Sequence, residues 1–171
     1  MVMAALAERL TGTDMGATCS VDIQIASSSG NVPADNTVGS WVASVLEQLD
    51  FTDTVEVSVR IVDEDESQRL NREYRDQDKP TNVLSFPSGI GGYMPGDEPT
   101  PLGDIVICAP VVALEAAAQG KALDDHWAHL VVHGTLHLLG FDHESDAEAM
   151  EMEGLEREIL AARGISDPYL S

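Results

Sequence analysis

The stretch HLVVHGTLHLLGFDH, residues 129–143, constrains this chain more than any other segment. Its apolar residues recur at helical spacing, and His133 and His137 stand four residues apart within it, so both imidazoles project from one face of one helix. Gly140 then ends the helix, because a residue tolerant of positive φ is needed where the chain turns sharply. His143 follows three residues on, and the turn can bring a third nitrogen back to the same ion. A lone histidine on a core helix is ordinarily a packed side chain, but three at this spacing point to a bound Zn2+, one per chain. Three neutral His ligands leave a fourth tetrahedral position for water, the arrangement of a catalytic rather than a closed structural zinc. Such a water has its pKa lowered toward about 7.

The pattern HxxxHxxGxxH has the ligand spacing of metzincin proteases, yet one part of that chemistry is missing. Zinc proteases of the HExxH type carry a general-base Glu directly after the first His, and here that position is Gly134. Peptide hydrolysis by that route is disfavoured. The nearest carboxylate, Asp142, fits two readings: it orients His143 or poises the metal water, or it caps the turn. His126 and His129 lie on the same helix and read as packing or outer-layer residues, with only His129 continuing the four-residue stripe.

Around this motif the periodicity places the remaining elements. An alternating run at 21–25 predicts a first strand, and Val38, Trp41, Val42, Val45, Leu46 and Leu49 predict an amphipathic helix behind a cap at Asp35. Val55, Val57, Val59 and Ile61 alternate as in a half-buried strand. A short polar helix at 64–74 stops at the turn QDKP, residues 77–80, before a short strand at 83–86. Residues 87–101 hold four glycines and several prolines and predict an exposed, mobile loop beside a site. A strand at 102–108 and helices at 111–119, 125–139 and 146–162 complete the chain, the last ended by Gly164. Strands early, helices late and no repeats predict an α+β (mixed α/β) fold, a single compact domain with a small mixed β-sheet covered by helices. Its expected extent is residues 20–171, after a flexible extension at 1–19 that lacks periodicity.

Composition narrows the function. Nine Lys and Arg against thirty Asp and Glu give a formal net charge of −21, which disfavours a broad basic surface embracing a phosphate backbone. Cys19 and Cys108 lie in unrelated contexts, as expected of reduced thiols in a cytosolic protein. The opening residues lack the charge and apolar length of a signal peptide, and no apolar run approaches the roughly twenty residues that span a bilayer. A cytoplasmic location without membrane partners is the expectation.

Five of the nine basic residues fall between Arg60 and Lys79. Arg75 is the one best suited to hold a phosphate, since a guanidinium grips an oxygen pair and offsets charge developing in a transition state. A solvated helix face, with Glu73, Asp76 and Asp78 as partners, accounts for the same residues. The blocks LNREYRDQDKPTNVLSFP, LGDIVI and HGTLHLLGFDH, in that order, resemble the YbeY family of bacterial metal-dependent endoribonucleases and ribosomal RNA maturation factors, over roughly residues 21–169. The resemblance implies that His133, His137 and His143 ligate zinc, that Arg75 is the catalytic or substrate-binding arginine, and that the metal-binding helix is zincin-like. It also implies cleavage of single-stranded RNA, maturation of ribosomal RNA including the 16S 3′ end, and a part in ribosome quality control. Family members often have Tyr where this chain has Phe141, so a role for a phenolic hydroxyl is not carried over, whereas a packing role is.

An acidic chain acting on RNA poses a conflict of charge. The expected resolution is that the cluster from Arg60 to Lys79 lines the RNA groove while the acidic C-terminal helix faces away and docks on the small ribosomal subunit or a basic ribosomal protein. Two other functions compete on sequence alone: an assembly factor with a structural metal and no nuclease activity, and a metal-dependent peptidase or amidase. A protein side chain closing the fourth metal position would favour the first.

Overall fold

The computed structural model of the chain describes residues 19–51, 53–88 and 100–169. The extension expected at 1–19 lies outside them except for Cys19, which begins the first strand, and most of the loop expected at 87–101 lies outside them as well. The elements run β1 (Cys19–Ala26), α1 (Asp35–Gln48), β2 (Val55–Val62), α2 (Glu64–Arg75), β3 (Val83–Pro87), β4 (Thr100–Cys108), α3 (Ala109–Gln119), α4 (Leu123–Leu138) and α5 (Asp146–Ala162). Together they form the α+β domain that the order of strands and helices predicts.

The four strands make one sheet in the order β1-β2-β4-β3. β1, β2 and β4 are parallel, with α1 supplying the crossover that parallel neighbours require, while β3 pairs antiparallel with β4 at the edge. Alternation decides what each face does. Val55, Val57, Val59 and Ile61 of β2 and Ile105 and Ile107 of β4 are buried against Val38, Val42 and Leu46 of α1 and Trp127, Val131 and Leu136 of α4. Each such side chain contributes about 2 kcal/mol by leaving water. On the opposite face, among the described residues, Val62, Leu84, Val106 and Cys108 pack with Leu70 of α2 at one end. The main core thus fixes α4 firmly against one face of the sheet.

Element ends depart from expectation in instructive ways. Ala34, not Asp35, is the N-cap of α1, without any side-chain cap bond; Asp35 sits in the first turn, where its negative charge interacts favourably with the positive end of the helix dipole. α2 runs one residue further than its polar pattern suggests, to Arg75, and stops because Asp76 adopts the left-handed conformation at φ 58°. α3 begins at Ala109 because Pro110 is tolerated in a first turn, where its missing N–H is not needed. At Gly103, φ is 139° and an added Cβ would lie 2.2 Å from the Phe86 carbonyl oxygen, so only glycine allows β3 and β4 to close at this point.

Candidate active site

Helix α4 serves two surfaces at once. Its residues Trp127, Leu130, Val131 and Leu138 face the core, while His129, His133 and His137 recur every fourth residue along another side. The helix ends as its sequence predicts. The Phe141 amide donates to the Leu136 carbonyl and the Gly140 amide to the His137 carbonyl, with Gly140 at φ 103°, a closing pattern of two reversed bonds that satisfies the last carbonyls. Phe141 packs onto the core, which fixes the exit direction and returns His143 to the helix. Its ring centroid lies 5.1 Å from that of His137 and 5.8 Å from that of His133. Nothing crowds Gly140, so Gly140→Ala is opposed by backbone conformation alone and is expected to cost about 1–2 kcal/mol in a urea titration.

Three ligand nitrogens, one each from His133, His137 and His143, lie within 4.8 Å of one another, a group able to hold a metal ion. The Nε2 atoms of His133 and His137 are 3.2 Å apart, close to the separation of about 3.4 Å that two nitrogens take on a tetrahedral zinc. Burial first, then the neighbouring His133 and His143, push the His137 imidazole below its ordinary pKa, which favours the neutral form that can ligate. Among the described residues, no carboxylate, cysteine or fourth histidine joins these three in one group. The donor set therefore fits a zinc-type ion with an open position.

Behind the histidines lies a residue that sequence reasoning missed. Glu156 of α5 is fully buried and accepts from His133 Nδ1 at 2.9 Å, from His129 Nε2 at 2.7 Å and from the Tyr169 hydroxyl at 2.5 Å. Burial pushes its carboxyl up, but the bonds from His129 and His133, the charge at His133 and the Tyr169 hydroxyl outweigh burial and hold it at about 2. With Nδ1 bound to Glu156, His133 presents Nε2 to the cavity, so the carboxylate sets both ring orientation and tautomer. The acidic C-terminal helix therefore does not simply face away: it delivers an anion to the back of the site. A signal was present, since Glu156 occupies the stripe of Met152, Ile159 and Leu160, where a lone carboxylate needs a partner. His129 shares Glu156 with His133, and the buried His126 bonds Glu115 at 2.8 Å.

The histidines open onto a cavity of about 190 Å³ lined also by Arg75, Thr81, Asn82 and Ser85. Arg75 reaches it because α2 ends there, and the segment after α2 is pinned by Asn71 Nδ2 donating to the Lys79 carbonyl and by Ser67 bonding both backbone groups of Thr81. Ser85 donates to the carbonyl of Gly134 at 3.2 Å. A Cβ on Gly134 would meet Ile105 at 3.0 Å and Ser85 at 3.2 Å, so the position of the missing protease Glu faces the sheet rather than the cavity. Asp142 accepts from the His143 amide at 2.8 Å, a bond that holds its carboxyl below the usual range and belongs to the turn.

The structure divides the basic cluster. Arg75 alone shares the cavity with the histidines, and no ion pair to it occurs among the described residues. Arg60 lies on the other face of the sheet, bound to both oxygens of Glu66 at 2.6 and 3.0 Å, and Arg72 pairs with Asp78 at 3.5 Å. No helix among the described residues is long and apolar enough to cross a membrane.

Comparison with known proteins addresses the same region. The family model described as Endoribonuclease YbeY matches residues 22–164. A protein of that name from Halorhodospira halophila is 55% identical over 139 residues, covering 81% of this chain and 89% of the relative. Another, from Alkalilimnicola ehrlichii, is 56% identical over 140 residues, covering 81% and 82%. The solution structure of TM1509 from Thermotoga maritima superposes with a TM-score of 0.51 at 27% identity, covering 87% of this chain and 99% of that one. Agreement of this depth along most of the sequence means that the chain belongs to the YbeY family of endoribonucleases, hydrolases that cleave phosphodiester bonds.

Proposed function

We propose that this protein is a zinc-dependent, single-strand-specific endoribonuclease that matures ribosomal RNA in the cytoplasm, including the 3′ end of the small-subunit RNA, and contributes to ribosome quality control. The observation that carries this reading is the placement of Arg75 in one small cavity with His133, His137 and His143. Those histidines would hold the ion, which when bound supplies Lewis acidity and acidifies water. The protein's own groups do the positioning. Glu156 keeps His133 in one tautomer, and the Arg75 guanidinium grips the scissile phosphate and offsets the charge that builds on it. Arg75→Lys keeps the charge but loses the fork and is expected to lower kcat about tenfold, and Arg75→Ala about a hundredfold, with zinc content unchanged.

The deciding assay is cleavage of an end-labelled single-stranded RNA spanning the mature small-subunit 3′ end, with and without a chelator. Cutting that stops on chelation and returns with zinc is the expected result, and chelator-resistant cutting, or none, overturns the reading. Replacing the 2′-hydroxyl at the cut site by hydrogen separates the nucleophiles, because an undiminished rate excludes internal attack. With a net charge of −21, the protein alone is expected to bind free RNA weakly and to rely on a basic ribosomal protein for docking. A steep salt dependence of RNA binding by the isolated protein, measured by fluorescence anisotropy, would contradict that reliance.

A further inference from the structure

We propose that the face of the sheet turned away from the histidines carries a nucleobase pocket, with Tyr74 and Phe86 as its stacking surface, for an unpaired base of the strand whose phosphate Arg75 holds. The pocket is an open cavity of about 430 Å³ between α2 and the face of β2 and β4 turned away from the histidines. Tyr74 stands at its rim, 63% exposed, an unusual position for a large ring on so polar a helix. Its ring meets that of Phe86 edge to face, with centroids 5.0 Å apart and planes at 67°. An exposed aromatic held at a fixed angle by a second ring is the arrangement on which unpaired bases stack.

The charges in this pocket exclude the phosphate as its ligand. Its single guanidinium, Arg60, is already bound to both oxygens of Glu66, and Asp104 adds a second carboxylate to the lining. A phosphate would meet net negative charge there. A neutral base would meet a ring face and, at its edges, the amide of Gln24, the hydroxyl of Ser58 and the carboxylate of Asp104, which offer both donors and acceptors.

Continuity with the catalytic cavity fixes the occupant as part of the same strand. Arg75 lines one cavity and Tyr74, its neighbour in the chain, lines the other; Ser85 and Phe86 divide in the same way. Successive side chains of a strand point to opposite faces, so the two cavities lie on either side of the edge strand β3. A strand whose phosphate rests on Arg75 needs only to pass that edge to lay a base against Tyr74. Splayed, unstacked bases are available in single strands and not in a duplex, so the pocket also supplies a reason for strand preference. This inference rests on the reading that RNA is cut beside Arg75.

The test uses the full chain and two readouts. The first is binding of a 2′-O-methyl hexanucleotide, which cannot undergo internal attack, followed by NMR shifts of the Tyr74 and Phe86 signals. The second is KM for cleavage of the matching RNA, with each nucleotide near the cut made abasic in turn. Tyr74→Ala is expected to weaken binding and raise KM about tenfold with kcat little changed, and Tyr74→Phe to behave as the parent. One abasic position should cost the parent about as much and cost Tyr74→Ala nothing further. Shifts absent from Tyr74 and Phe86, or an abasic penalty of equal size in Tyr74→Ala, would overturn the pocket. Shifts at both rings without any cleavage by the parent would leave the pocket standing and remove the nuclease reading instead.

Discussion

His137→Ala is expected to lower RNA cleavage by about a thousandfold, beyond the roughly 10–100-fold that loss of an outer partner of a metal ligand costs. The side chain is half-buried, and its Nε2 lies 3.2 Å from that of His133, so it supplies a third of the candidate donor set and no part of the main core. Circular dichroism and the urea midpoint of the metal-free variant should therefore stay near those of the metal-free parent. Zinc content should fall to background. Parallel purification matters, because a contaminating ribonuclease would cut equally in both preparations. Retained zinc with lost cleavage would shift the role of His137 from holding an ion to acting on RNA directly.

Replacing Glu156 carries the largest expected cost to folding. Glu156→Ala strands the donors of His129, His133 and Tyr169, and uncompensated groups of this kind cost about 3 kcal/mol, which lowers Tm by roughly 10 °C in a domain of this size. Zinc affinity should drop about 10–100-fold as His133 loses its fixed tautomer. The pH dependence gives an independent signature. The Glu156 pKa is depressed from 4.5 to about 2 in the folded protein, so the unfolded chain binds the extra proton between those values. Stability from this group is complete above about pH 4.5 and is lost as pH falls toward 2. Denaturation curves across that window should show the parent losing stability faster than Glu156→Gln, and equal slopes would mean that the carboxylate is not held as the geometry shows.

These two residues also mark where the sequence was readable and where it was not. His133, His137, Gly140 and His143 were legible because their relation is local: a four-residue repeat and a glycine at a helix end dictate it without reference to the rest of the chain. The alternation of β2 and the apolar stripe of α1 were legible for the same reason. Glu156 was hidden because its meaning depends on which helix packs beside α4, and one carboxylate among thirty acidic residues draws no notice unless its buried stripe is checked. The basic cluster misled in the opposite sense. Arg60 and Arg75 are close in sequence, yet strand alternation sends Arg60 to the far face of the sheet, and only the end of α2 brings Arg75 to the histidines. Gly134 shows a third case: the absent protease Glu was visible as an identity, but that the position has no room for it required the contact with Ile105.

The donation of Glu156 by α5 bears on when the site matures during synthesis. Ribosomes release the chain from its N-terminus, so the histidines of α4 emerge before the carboxylate that orients His133 and the Tyr169 hydroxyl that donates to it. Until α5 docks, His133 lacks the bond that selects its tautomer, and the candidate ion site lacks one fixed ring. A nascent chain still tethered at α5 thus carries the three candidate ligands before the carboxylate that fixes His133 has docked against α4.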